Sequence, residues 1–251
     1  MLLGGLVIAL RTLTVAPIPG KEADEPASAL FWFPVVGGMI GAVCAAAGWA
    51  ANSLTGWPAA AALVMAGLGT VLSGGIHLDG LADVADSAGG ATREKRLAIM
   101  KDSRIGCFGA AAVVFAVLAK VLAFERLAAG SLWVWAAAPF LISRSFQIVP
   151  MTVLRYARPE GGAARRFVEG AKTVHMAFGV LFPVVIAVAA GRAAGLAAVS
   201  CAGLAAGLFI RWADRNLGGV TGDVVGALSE IVEVVSLLAF AAMASGIGAG
   251  T

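Results

Sequence analysis

Three aspartates, Asp79, Asp83 and Asp86, stand in the segment HLDGLADVADS, residues 77–87. Their i, i+4, i+7 spacing puts all three on one face of a helix, about a turn apart. Carboxylates so aligned repel one another, and a divalent cation converts that repulsion into ligation by hard oxygens. His77 precedes the first acid by two residues, while Gly80, Gly89 and Gly90 let backbone approach a ligand closely. The chain continues into IMKDSRIGCFG, residues 99–109, where Asp102 adds an oxygen donor, Lys101 and Arg104 add cations, and Ser103 stands at the turn. Acid and base side by side suit a site that holds a metal and a phosphate together.

Two further clusters have the same flavour. RYARPEGGAARRFVEG, residues 155–170, carries Arg155 and Arg158, whose planar forks match phosphate, although a basic loop beside a membrane also satisfies topology by itself. In TGDVVGALSEIVEVVSLLAF, residues 221–240, Asp223, Glu230 and Glu233 recur at i, i+7 and i+10 on one helical stripe. Carboxylates inside an apolar span are costly and normally face a cavity or a partner, which predicts that the two glutamates orient substrate or hold Arg144 of PFLISRSFQIVP in place. His175 reads as a residue at a membrane boundary.

The elements that must position these groups are membrane helices. Of 251 residues 60% are hydrophobic and 13% charged, and mean hydropathy is +0.91, which excludes an ordinary soluble domain. Apolar windows of about 19 residues predict spans near 30–51, 57–76, 106–124, 131–150, 176–191, 194–210 and 226–247. The opening MLLGGLVIALRTLTVAPIPG is interrupted by Arg11 and closed by Pro17 and Pro19, which predicts a re-entrant or interfacial helix. The fold expected is an all-α polytopic bundle of about seven spans, one domain over 1–251. Cys44, Cys107 and Cys201 form no CxxC pair and read as small apolar fillers. The net charge of +3 is too small to imply nucleic acid.

In that order and spacing, GGIHLDGLADVADS, IMKDSRIGCFG, SRSFQIVPMTVLRYARPEG and TGDVVGALSE resemble the cobalamin synthase family, the adenosylcobinamide-GDP ribazoletransferases, and RTLTVAPIP resembles the family's N-terminal segment. The resemblance covers nearly the whole chain. It implies an enzyme of the bacterial cytoplasmic (inner) membrane that joins adenosylcobinamide-GDP to alpha-ribazole or its 5'-phosphate and releases GMP, with its site on the cytoplasmic side. An oligomer is compatible with it. With the clustering above, it implies a magnesium ion held by Asp79, Asp83, Asp86 and Asp102, with Asp86 or Asp102 also catalytic. His77, Lys101, Ser103, Arg104, Arg144, Arg155, Arg158, Asp223, Glu230 and Glu233 are the expected substrate-binding set.

Two positions depart from the family's pattern: Ser87 stands where glycine is common, and Phe108 where a histidine is common, which excludes an essential histidine there. A phospholipid enzyme that transfers phosphoalcohols from CDP-linked donors is the alternative, but the arginine within its paired-acid motif is missing from DGLADVADS. A cation-coupled transporter would set acids at the bilayer midplane in repeated halves, and no repeat is visible.

Basic residues concentrate in 77–105, 151–175 and 211–225, alternating with short loops that hold few, so the long loops are expected to be cytoplasmic. Single cysteines at Ala91 and Ser53, in a chain without native cysteines, test this with an impermeant thiol reagent on intact cells. Labelling is expected at position 53 and not at 91; preferential labelling at 91 would reverse the topology.

Overall fold

The computed structural model describes residues 2–244, the side chains of residues 2 and 188–192 aside. Its helices are α1 (Leu2–Leu13), α2 (Phe33–Thr55), α3 (Pro58–Leu72), α4 (Ile76–Asp86), α5 (Arg93–Ile99), α6 (Cys107–Ala129), α7 (Trp133–Phe146), α8 (Ile148–Val153), α9 (Arg165–Gly170), α10 (Thr173–Leu217) and α11 (Gly222–Ala242). A 3-10 turn, Pro26–Trp32, leads into α2. The β-pairing among the described residues is an isolated bridge between Tyr156 and Val220. The fold is an all-α membrane bundle.

Among the described residues, helices occupy every window expected to span; positions 245–247 of the last window lie outside those residues. Four are long and apolar enough to cross: Pro26–Thr55, α6, Ala193–Leu217 and α11, with a fifth if α3 and α4 count as one bent span. The remaining two windows hold shorter helices, α7 and Thr173–Ala187. Within α10, a Cβ added at Gly195 would lie 2.9 Å from the Cβ of Ala187. A straight helix would separate those residues by roughly 12 Å, so the two apolar arms of α10 fold back on each other. α1 is also apolar but, at roughly 18 Å, too short to cross.

The acids of HLDGLADVADS owe their position to a break. Gly74 and Gly75 adopt φ of 63° and 69°, a left-handed conformation that favours glycine. They end α3 by returning N–H groups to Val71 and Thr70 carbonyls, and α4 then leaves at 86° to α3. At roughly 16 Å, α4 is too short to cross by itself. It packs on α11, the centre of the bundle: 72% of the most apolar stretch of α11 is buried, against 28% for α6, which turns Phe115, Leu118 and Leu122 outward. The α4–α11 crossing is close because both helices present glycine there. A Cβ on Gly80 would sit 2.6 Å from the Asp223 carbonyl oxygen, and one on Gly226 would sit 3.3 Å from His77 Cα.

Four buried charges tie the same helices together. Lys120 of α6 bridges Glu230 at 2.6 Å and Glu233 at 2.7 Å, both on α11, and Glu233 also takes the guanidinium of Arg144 from α7. Arg144 Nη1 donates to Ser143 Oγ at 2.7 Å, and Nη2 lies 3.3 Å from His77 Nδ1 on α4. Two cations and two carboxylates, each 7% exposed or less, leave the cluster neutral. The 106–124 window, read as an uninterrupted apolar span, therefore contains the cation that balances the two glutamates, and Glu230 and Glu233 act by holding Lys120 and Arg144.

Two outcomes are expected in detergent unfolding measurements. Gly80→Val should lower stability by about 1–3 kcal/mol by forcing α4 off α11, whereas Gly89→Ala, where an added carbon meets nothing, should be neutral. Lys120→Met should cost about 3–5 kcal/mol by stranding buried carboxylate charge. Adding Glu230→Gln to it restores neutrality and should recover more than half of that loss; a double variant no better than the single one would refute the charge-balance account.

Candidate active site

Where α4 crosses the start of α11, a cavity of about 490 Å³ opens between these helices, α1, the α7–α8 junction and the 163–167 segment. His77, Asp79 and Asp223 line it, so three of the residues singled out in the sequence meet there. Thr221 caps α11, its Oγ1 accepting from Val224 N–H at 3.3 Å, which sets Gly222 and Asp223 in the first turn at the cavity wall. The positive end of a 21-residue helix thus faces the space.

Asp83 lies a turn after Asp79 on the same face. It stands within Coulombic reach of the carboxylates of Asp223 and Asp79 and of the guanidinium of Arg158. Arg158 Nη2 donates to Asp223 Oδ2 at 2.6 Å. Three carboxylates facing one paired guanidinium leave uncompensated negative charge, the condition in which a hard cation is favoured.

The four-aspartate cage expected from the sequence is not assembled: among the described residues no three His, Cys, Asp or Glu side chains converge closely enough to ligate one ion. Asp86 points to α6 instead. Its Oδ2 accepts from Gly106 N–H at 2.7 Å and its Oδ1 from Gly109 N–H at 2.8 Å, so it neutralises the free amides at the start of that helix. A Cβ on Gly106 would come within 2.5 Å of this carboxylate, which explains glycine there. Asp102 is held by its own neighbour: Arg104 donates from Nε at 3.0 Å and from Nη2 at 2.6 Å, and with the Arg104 backbone N–H keeps the carboxyl down at about 2. That fork is exposed, as is Ser103.

The expected phosphate ligands divide in the same way. Lys101 pairs with Glu160. Arg155 Nε donates to the Gly218 carbonyl at 2.9 Å, beside Arg93, which donates to the Leu217 carbonyl at 2.7 Å. Both occupy the carbonyls left open at the end of α10. Arg144, Glu230 and Glu233 belong to the buried charge cluster and lie outside the cavity lining. Arg158 alone of the expected cations contacts an acid of the cavity.

Three polar residues missed in the sequence complete the wall: Arg11, Arg166 and Gln147. Arg11 ends α1 and donates to Glu22 at 2.9 Å and to the Ile18 and Gly20 carbonyls at 3.0 and 3.1 Å, folding the Pro17–Gly20 segment back. Arg166 stacks over Phe167 and lies 3.7 Å from Glu22. Gln147 is buried beside His77, at 2.9 Å. The signal for Gln147 was present, since it follows Arg144 by three residues inside an apolar window. His175 lines a separate cavity of about 590 Å³ with Asp24, Glu25, Phe31 and Trp32, which none of the acids discussed above reaches.

The chain was compared with known proteins on this basis. A family model described as CobS, cobalamin-5-phosphate synthase, matches residues 5–241. The adenosylcobinamide-GDP ribazoletransferase of Chlorobium phaeobacteroides (strain BS1) is 45% identical over 239 residues, covering 92% of this chain and 94% of that protein. Those of Chlorobium chlorochromatii (strain CaD3) and Pelodictyon phaeoclathratiforme (strain DSM 5477 / BU-1) are each 44% identical, over 93% and 97% of this chain and 94% and 99% of theirs. No solved structure matches it. With a cavity built from the very segments that carry the motifs, and a match that runs from the first helix to the last, the chain belongs to the cobalamin-5-phosphate synthase family.

Proposed function

We propose that this chain transfers the phosphocobinamide moiety of adenosylcobinamide-GDP to alpha-ribazole or its 5'-phosphate, releasing GMP, at the cytoplasmic face of a bacterial inner membrane. The observation that carries the proposal is the meeting of Asp79 and Asp223, with Asp83 a helical turn beyond, at a cavity that Arg11 and Arg166 also line. Family membership and the relatives' printed names support the same reaction.

In the reaction a ribose hydroxyl oxygen of the acceptor attacks the phosphorus that bears the cobinamide. A new P–O bond forms, the bond to the GMP oxygen breaks, and the hydroxyl proton passes to a base. Charge builds on the departing phosphate, so the protein's task is positioning and neutralisation more than covalent chemistry.

Magnesium fits the donor set. Hard carboxylate oxygens suit it, and it is commonly bound by one or two carboxylates plus substrate phosphates, so a three-ligand protein cage is not required. One or two of Asp79, Asp83 and Asp223, together with substrate phosphates, would hold it, in place of the four-aspartate set drawn from the sequence. When bound it would neutralise the diphosphate and the leaving GMP. Arg11 and Arg166 stand ready for phosphate oxygens, and Arg158 restrains Asp223.

The test is turnover by purified protein in lipid or detergent, given adenosylcobinamide-GDP, alpha-ribazole and magnesium, with products separated by chromatography. Asp79→Asn and Asp83→Asn should each lower the rate by at least about a hundredfold while the protein stays folded, because the amide keeps the shape and loses the charge. Removing divalent ions with a chelator should stop the parent enzyme, and added magnesium should restore it. Either asparagine variant working within a few-fold of the parent would remove that residue from the ion site.

A further inference from the structure

Gln147 sits at the joint between α7 and α8, 1% exposed, and lines the cavity. As placed, its Nε2 lies 2.9 Å from His77 Nε2, and its Oε1, also buried, has no protein partner. A buried polar group without a partner carries a penalty of about 1–3 kcal/mol, which a ligand in the cavity would relieve.

The charge cluster decides which end is free. Arg144 has donors only, so at His77 Nδ1, 3.3 Å away, it requires an acceptor. A neutral imidazole that accepts at Nδ1 carries its proton on Nε2. Nε2–H then donates to Gln147, which needs an acceptor there, so the amide is turned by 180° from that placement with its oxygen beside His77. The unpartnered end is the NH2 group. Glu233, which holds Arg144, therefore acts through two hydrogen bonds to leave a donor, and not an acceptor, at the free end of the amide.

We propose that Gln147 is a substrate-recognition residue whose amide N–H donates to a phosphoryl oxygen of the nucleoside-diphosphate part of the substrate. The occupant is an anion because Arg11, Arg166 and the positive end of α11 share the cavity with it. His77 is a positioning residue, buried at 3% exposure between Arg144 and Gln147. The proposal rests on the transferase reading above.

The experiment measures GDP binding, with magnesium, by the full chain in detergent. Gln147→Leu should weaken GDP by about tenfold, the worth of one lost hydrogen bond to a charged oxygen. Gln147→Glu keeps the shape but presents an acceptor, and should bind GDP no better than Gln147→Leu. A role in packing alone predicts the reverse order, with the isosteric glutamate close to the parent. Binding by either variant within about twofold of the parent overturns the assignment. If the variants do not fold, ¹⁵N shifts of His77 in the parent decide it, since His77 and His175 are the two histidines to assign. An Nε2–H tautomer is expected, and an Nδ1–H tautomer overturns the proposal. Failure of the parent to bind GDP at all would overturn the transferase reading itself, whereas binding that ignores position 147 overturns only this inference.

Discussion

The neutral cluster of Lys120, Glu230, Glu233 and Arg144 is the constraint to which the rest of the structure answers. A single charge in the apolar centre of a bundle is several kcal/mol unfavourable, and even a pair recovers that only with good geometry and satisfied hydrogen bonds. Here each charge comes from a helix that must be in register for the others to be tolerable: α6 supplies Lys120, α7 supplies Arg144, and α11 supplies both glutamates. Apolar packing alone would let these helices slide or rotate, because lipid and leucine are nearly equivalent surroundings. The charges remove that freedom. They make the bundle's centre specific where greasy surfaces make it merely stable.

From that centre the order spreads toward the cavity. Arg144 reaches His77, which fixes the first turn of α4, and the glycines Gly80 and Gly226 allow α4 to press against α11. The close crossing brings Asp79 and Asp83 beside Asp223 although well over a hundred residues separate them in the chain. The arginines outside the cluster serve a second purpose. Arg93 and Arg155 bind open carbonyls at the end of α10, and Asp86 binds the open amides at the start of α6. Arg155 and Asp86, expected from the sequence at the substrate and the metal, thus hold helix ends in place, and through them the shape of the loop face.

The cavity that results is divided by sign. Carboxylates stand on α4 and α11, guanidiniums on α1 and the 163–167 segment, with the buried His77 and Gln147 between them. Such a surface suits a ligand that is itself an anion accompanied by a cation, and neither wall alone would hold it as well. It also explains why the N-terminal helix, too short to cross a bilayer, is part of the fold: Arg11 brings one of the two cations, secured by Glu22 and by carbonyls of the turn that follows.

The sequence alone determined the membrane class, the helical fold, the family and the helical face shared by Asp79 and Asp83. These follow from composition, from periodicity and from local motifs, which act within a few turns of chain. It also marked Glu230 and Glu233 as acids that need a partner and offered Arg144, which pairs with Glu233, whereas Glu230 pairs with Lys120. What it left open was which like residues would be neighbours. Asp86 and Asp102 are the same residue type as Asp79 and closer to it in sequence than Asp223, yet one caps α6 and the other is bound by Arg104. Lys120 went unmarked inside the 106–124 window, and Gln147 was not singled out. Only tertiary structure separates ligand from cap and filler from counter-ion, because a carboxylate's role is set by whichever donors reach it first, and those donors arrive from distant helices.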